Sequence, residues 1–254
     1  MLTIVCVYNN YDLLNEWLLK GLKNQTIRYE LILIDNTAGN YSSAAAAFNK
    51  NLSKVNGDYI MFVHQDVEIS CETWLEDTEA ILDGLDSIGV AGVAGKKAGH
   101  EKTITSIDNG IPKRPAGTRV KQPTLVQTVD ECLFIIPRKV YGNYKFDEQT
   151  CENWHLYCVD YCLSVLDQGL NVYVLPSYIY HRSCANSMNE SYYSTLRKVL
   201  KKHRSHHGKV YSTVGIWDTT IPIVIQRPIN FFLSIIKYLN RNISNTIKSP
   251  RVNR

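Results

Sequence analysis

The side chains best able to do chemistry gather where an apolar segment stops. The stretch Asp58-Tyr-Ile-Met-Phe-Val-His-Gln-Asp66 reads as a buried strand that ends in His64-Gln65-Asp66 and presents a carboxylate. Open α/β sheets hold their ligands beyond the carboxyl ends of the strands, where the strand order switches, so Asp66 is the residue around which partners are sought. Two other suggestive sets carry less. Cys151, His155, Cys158 and Cys162 share one face of a predicted helix, but a single straight helix cannot wrap four ligands tetrahedrally around one ion. Gly89-Val-Ala-Gly-Val-Ala-Gly95 lacks the spacing of a nucleotide-binding glycine loop that opens a helix.

The elements that must position Asp66 alternate in type. Leu2 to Val7 is a continuous apolar strand followed by the polar turn Tyr8-Asn9-Asn10-Tyr11, and Asp12 to Leu22 carries apolar residues at helical spacing with Asp12 as the expected cap. A second strand, Leu31 to Ile34, breaks at Asp35-Asn36-Thr37; residues 41–55 read as a helix with Asn49 and Lys50 toward a ligand, and Gly57 ends it before the third strand. Strands this uniformly apolar are buried on both faces, which implies an α/β domain with a mostly parallel central sheet flanked by helices. Residues 98–128 read as loops and edge strands, Val129 to Pro137 as a core strand, Trp154 to Leu166 as a helix carrying Asp160, and Val172 to Leu175 as the last core strand, from which Tyr178 to His181 leads out.

The chain has 254 residues with 44% hydrophobic content, enough for one substantial core. Seven cysteines in no regular framework point to a reducing compartment, and no basic flank or cleavage site precedes the first strand, so a cytoplasmic protein without a signal peptide is expected. Charge is uneven: residues 1–190 carry 16 basic and 23 acidic side chains, whereas 191–254 carry 12 basic and one acidic. After Pro228, Phe231, Phe232, Ile235, Ile236, Leu239, Ile243 and Ile247 fall on one helical face. The expected organisation is therefore a domain over 1–215 and a basic amphipathic helical extension over 216–254. That extension either packs on the body or a second subunit, giving a homodimer, or lies on the inner face of the plasma membrane. Its basic residues surround an apolar face and are not interleaved with stacking aromatics, which argues against a nucleic-acid partner.

Five motifs stand in an order that resembles family-2 glycosyltransferases of the GT-A fold, in the bacterial branch with a His-Gln-Asp variant of the Asp-x-Asp signature: Tyr8-Asn9, Ile34-Asp35-Asn36-Thr37, Asn49 before Gly57-Asp58-Tyr59-Ile60, His64-Gln65-Asp66, and Phe146-Asp147-Glu148 followed by Asp160. The resemblance implies transfer of a sugar from a nucleotide-diphosphate donor to a hydroxyl of a bacterial polysaccharide, glycolipid or glycoprotein, usually with inversion. It implies Mn²⁺ or Mg²⁺ held by Asp66, His181 and His64, and donor contacts from Tyr8, Asn9, Asp35, Asn49, Gln65, Asp66 and Arg182. It further implies Asp160 as the general base and an acceptor site at Asp147, Glu148, Trp154 and His155. His64 stands where the family's first aspartate is usual, and Val159 where a glutamate usually precedes the base. A catalytically silent nucleotide-sugar-binding protein of the same fold, and less so a nucleotidyltransferase, are the alternatives.

Overall fold

The computed structural model describes residues 1–183 and 188–229. Strands β1 (Leu2–Tyr8), β2 (Glu30–Asp35), β3 (Tyr59–Val63), β4 (Val67–Glu68) and β5 (Ile88–Gly92) follow in chain order. The central sheet has seven strands in the order Thr124–Leu125, Asn171–Val174, β5, Leu133–Pro137, β3, β1, β2. β1 pairs in parallel with both β2 and β3, and Asn171–Val174 with β5, whereas Leu133–Pro137 runs antiparallel to β3 and β5. Because β2 lies on one side of β1 and β3 on the other, the strand order switches at β1, and the crevice beyond the ends of β1, β2 and β3 is the expected ligand position.

Both faces of this sheet are covered, as the uninterrupted apolar strands require. One core gathers Phe48, Phe62, Phe134, Phe146, Tyr157 and Tyr161 beneath helices Ala44–Asn51 and Tyr157–Leu166; the other gathers Leu14, Leu18, Met61, Trp74, Leu75 and Ile135. Ser43 caps helix Ala44–Asn51 by accepting from Ala46 N–H at 3.2 Å. Gly57 is required by close approach: a Cβ there would lie 2.6 Å from Met1 O and 2.7 Å from Thr3 N.

The structure adds to the expectations at three places. The first helix is capped by Asn10, whose side chain accepts from Leu13 N–H at 3.0 Å, and not by Asp12; its middle, Asn15–Leu19, widens into a π turn. The stretch 98–128 does hold loops and the edge strands Arg114–Pro115, Thr118–Arg119 and Thr124–Leu125, but Thr103–Thr105 and Ile107–Asn109 lie inside two further four-stranded sheets. One of them pairs β4 with Ile179–His181, and that strand with Ile107–Asn109, which fixes His181 beside Asp66. Finally, the expected boundary at 215/216 falls inside a hairpin, Lys209–Tyr211 with Ile216–Asp218, whose Val210 and Trp217 pack on Leu156, Leu163 and Leu196. The amphipathic helix expected over 231–247 lies outside the described residues. No helix among the described residues is long and apolar enough to cross a membrane.

Candidate active site

At the switch point the ends of β1 and β3 are stitched together by one side chain. Gln65 accepts from Asn9 N–H and Asn10 N–H at 3.1 and 3.0 Å and donates to Asn9 Oδ1 at 2.7 Å. Tyr8, Asn9, Asn36, His64, Gln65, Asp66 and Trp154 face a cavity of about 410 Å³. A second cavity of about 170 Å³ adjoins it, and His64, Asp66, Glu131 and His155 line both. Another cavity, about 580 Å³, holds Trp17, Glu68 and Tyr180. Successive strand residues point to opposite faces, so it lies behind His181 and away from these groups.

His64, Asp66 and His181 bring ligand atoms within 4.8 Å of one another. His181 is 7% exposed, its Nε2 lies 3.3 Å from Asp66 Oδ1, and that nitrogen is buried with no well-formed hydrogen bond among the described residues. An orphaned buried nitrogen beside a carboxylate fits a shared cation, since buried polar groups are otherwise satisfied. Burial, and then the neighbouring His181, pushes the His64 imidazole down to about 4, so it is neutral and able to ligate. Burial pulls the Asp66 carboxyl up, but His181 and His64 outweigh it and leave it below its ordinary value. The set suits Mn²⁺ or Mg²⁺ through its carboxylate, with imidazole favouring Mn²⁺.

Glu131 is a candidate that the sequence reading passed over. Its Oε1 is buried with no partner among the described residues, and burial, then the adjacent Asp130 charge, pushes its carboxyl up to about 8 against the backbone N–H groups of residues 156–158. Asp130 fastens the loop above, accepting from Thr213 Oγ1 at 2.6 Å and from Cys132 N–H at 3.1 Å, so Ser212, Thr213 and Val214 line the second cavity. A signal was present in the sequence. Asp130-Glu131 immediately precedes the apolar run Cys132–Ile136, and the start of an antiparallel strand lies at the same sheet edge as the end of its parallel neighbour. His64 N–H donates to Cys132 O at 2.9 Å across that edge.

Of the expected residues, Tyr8, Asn9, His64, Gln65, Asp66, Trp154, His155 and His181 come together here. Asp35 is exposed at the end of β2, opposite Tyr8 in register, and accepts from Thr37 N–H and Oγ1 at 2.8 and 2.7 Å; those bonds, with the Tyr8 hydroxyl, hold its carboxyl below the usual range. Arg182 donates its backbone N–H to Asp66 O at 3.1 Å, while its side chain is exposed and lines neither cavity.

Asp160, expected as the base, is 2% exposed, its oxygens accept from Lys202 Nζ and His203 Nε2, each at 2.8 Å, and it lines neither cavity. Asp147 is likewise engaged, by Thr150 N–H and Lys202, and Glu148 by Asn49. Asn49, expected to touch donor, instead clamps the Phe146 segment by donating to Phe146 O at 2.9 Å and accepting from Tyr141 OH at 2.8 Å. Asn49→Ala leaves these partners unpaired, so chemical denaturation is expected to show a loss of about 1–3 kcal/mol, with donor affinity unchanged by calorimetry.

The fold is the GT-A fold, as likeness to solved structures shows. GalNAc-T7, crystallised with UDP, GalNAc and Mn²⁺, superposes with a TM-score of 0.58 at 9% identity, covering 79% of this chain and 48% of that one. The mannosyltransferase PcManGT of Pyrobaculum calidifontis, in complex with GDP-Man and Mn²⁺, gives 0.56 at 11%, covering 81% and 64%. TarS of S. aureus, in complex with UDP-GlcNAc, gives 0.53 at 17%, covering 78% and 65%. The chain thus spans about half to just under two thirds of these solved chains. It belongs to the glycosyltransferase-like family, whose model matches residues 3–203. Among curated proteins it is 25% identical over 182 residues to "ATP synthase subunits region ORF 6" of Fuscovulum blasticum, covering 69% of this chain and 71% of that one.

Proposed function

We propose that the chain transfers a sugar, with inversion, from a nucleotide-diphosphate sugar to a hydroxyl of a glycan, glycolipid or glycoprotein acceptor. The observation that carries this reading is the convergence of His64, Asp66 and His181 between two adjoining cavities at the strand-order switch. Tyr8 and Asp35 receive the nucleoside, and Asn9 and Gln65 shape the wall beneath it. His64, Asp66 and His181 would hold Mn²⁺ or Mg²⁺, which when bound supplies positive charge for the departing diphosphate.

The smaller cavity receives the acceptor between His155 and Glu131. Inversion requires the base and the leaving group on opposite faces of the sugar, and Glu131 lines both cavities while its Oε1 has no competing partner. As the acceptor oxygen attacks the anomeric carbon, its proton passes to Glu131, a transfer that needs a carboxylate within hydrogen-bond reach. Its raised pKa suits a base working near neutrality. The solved complexes with UDP-GlcNAc and GDP-Man support the donor class. The test is a thermal-shift screen of nucleoside diphosphates and their sugars with and without Mn²⁺. Stabilisation by at least one nucleotide only when Mn²⁺ is present is expected, and none by any nucleotide would overturn the reading.

A further inference from the structure

A second group of metal-ligating side chains lies where two helices end. Helix Tyr157–Leu166 is followed by Asp167 at its C-cap, and helix Glu190–His203 runs on into a turn carrying His206 and His207. His206 and His207 donate backbone N–H to His203 O at 3.1 and 2.9 Å, so the turn keeps a helical path and His203 and His207 sit one turn apart on one face. Asp167, His203 and His207 offer ligand atoms within 4.8 Å of one another.

The arrangement asks for positive charge between His203 and Asp167. His203 Nε2 lies 2.8 Å from Asp160 Oδ1, and its Nδ1 lies 3.6 Å from Asp167 Oδ2. A neutral imidazole has one N–H. Spent on Asp160, it leaves the Nδ1 lone pair facing a carboxylate oxygen, which is repulsive unless a second proton or a metal cation lies between them. The 3.6 Å separation is close to the edge, about 3.4 Å, of a tetrahedron with zinc bonds of about 2.1 Å. His207 Nε2 is hydrogen-bonded to the same carboxylate at 2.9 Å and His206 Nδ1 lies 3.1 Å from it, contacts that a bound ion would replace. Asp160 meanwhile stands where a carboxylate orients a metal-bound histidine through its second nitrogen. Both helices point their C-terminal ends here, adding partial negative charge that favours a cation.

We propose that Asp167, His203 Nδ1 and His207 Nε2 form a structural Zn²⁺ site, with His206 or water as fourth ligand. Two imidazoles with one carboxylate suit zinc. The site is buried on the His203 side, 3% exposed, and open on the His206 side, 59% exposed, which gives the ion a way in. Zinc there would lock the end of helix Glu190–His203 to the end of helix Tyr157–Leu166, and Asp160 becomes the residue that orients its buried ligand.

The test is calorimetric titration of the metal-stripped full chain with ZnCl₂, with thermal unfolding in parallel. In a His64→Ala, His181→Ala variant, which disables the other candidate centre, one Zn²⁺ per chain is expected to bind and raise Tm. Adding Asp160→Asn should weaken it by about 10–100-fold, and His207→Ala or Asp167→Asn should abolish it. If the double variant does not fold, the wild-type chain decides: His207→Ala there should remove one Zn²⁺ equivalent. No zinc uptake by the folded double variant, or uptake unchanged by His207→Ala and Asp167→Asn, would overturn the proposal.

Discussion

Asp66→Ala is expected to reduce Mn²⁺-dependent affinity for the nucleotide donor by at least about 100-fold, because loss of an outer-shell partner alone typically costs about 10–100-fold. Asp66 is the only carboxylate in the cluster with His64 and His181, and only two imidazoles would remain there once it is gone. Three further consequences separate ligand loss from misfolding. The Asp66 backbone carbonyl still accepts from Arg182 N–H, so the β4 region keeps its anchor. Affinity measured without metal should hardly change. Asp66→Asn, which keeps the shape and removes the charge, should fall between wild type and alanine. Equal Mn²⁺-dependent affinity in wild type and Asp66→Ala would remove the cation from this site.

Glu131→Gln is expected to lower kcat by roughly 10²–10⁴, the usual contribution of a positioned general base, while leaving donor affinity within a few-fold of wild type. Its carboxyl, raised to about 8 chiefly by burial, must be ionised to accept a proton. In the free enzyme kcat/KM should therefore climb as pH rises toward about 8 and level off above it, and this limb should vanish in Glu131→Gln. Stability gives an independent check with a definite sign. The unfolded carboxyl ionises near its ordinary value and the folded one only near about 8, so between them the folded state binds more protons. Stability should fall as pH rises through that window, and the glutamine variant should lose this decline. A kcat unchanged in Glu131→Gln would reassign the base, with His155 next on the same wall.

Legibility in the sequence followed the range of the interactions. The alternation of apolar runs and polar breaks from Leu2 to Asp66 is local, and it located the parallel strands, the switch and the Asp66 cluster. Asp130-Glu131 was hidden because its meaning depends on Leu133–Pro137 running antiparallel to β3, a pairing between distant segments. The stretch 98–128 was opaque for the same reason: its two- and three-residue strands gain order only from partners elsewhere, including the strand that fixes His181. The surroundings of Asp160 were hidden for a different reason. In helix Tyr157–Leu166 residues 157–163 are all buried, so the helix offers no polar face from which to judge where an aspartate points. A buried carboxylate must be paired, and only the fold reveals Lys202 and His203 as its partners.

The His64 departure from the Asp-x-Asp pattern also acquires a physical account. An aspartate there would place a second carboxylate beside Asp66 in a crowded pocket, whereas a neutral imidazole adds a ligand without like-charge repulsion. Its ring stands 5.6 Å, centroid to centroid, from that of His181, so the two histidines flank one small volume with Asp66.

The most direct measurement is release of nucleoside diphosphate from a panel of nucleotide sugars by the full chain, with Mn²⁺ and with a chelator. At least one donor is expected to be consumed with Mn²⁺, and consumption should cease with chelator and in both Asp66→Ala and Glu131→Gln. Turnover that persists with chelator, or that survives in both variants, would contradict a cation-assisted transfer centred on Asp66.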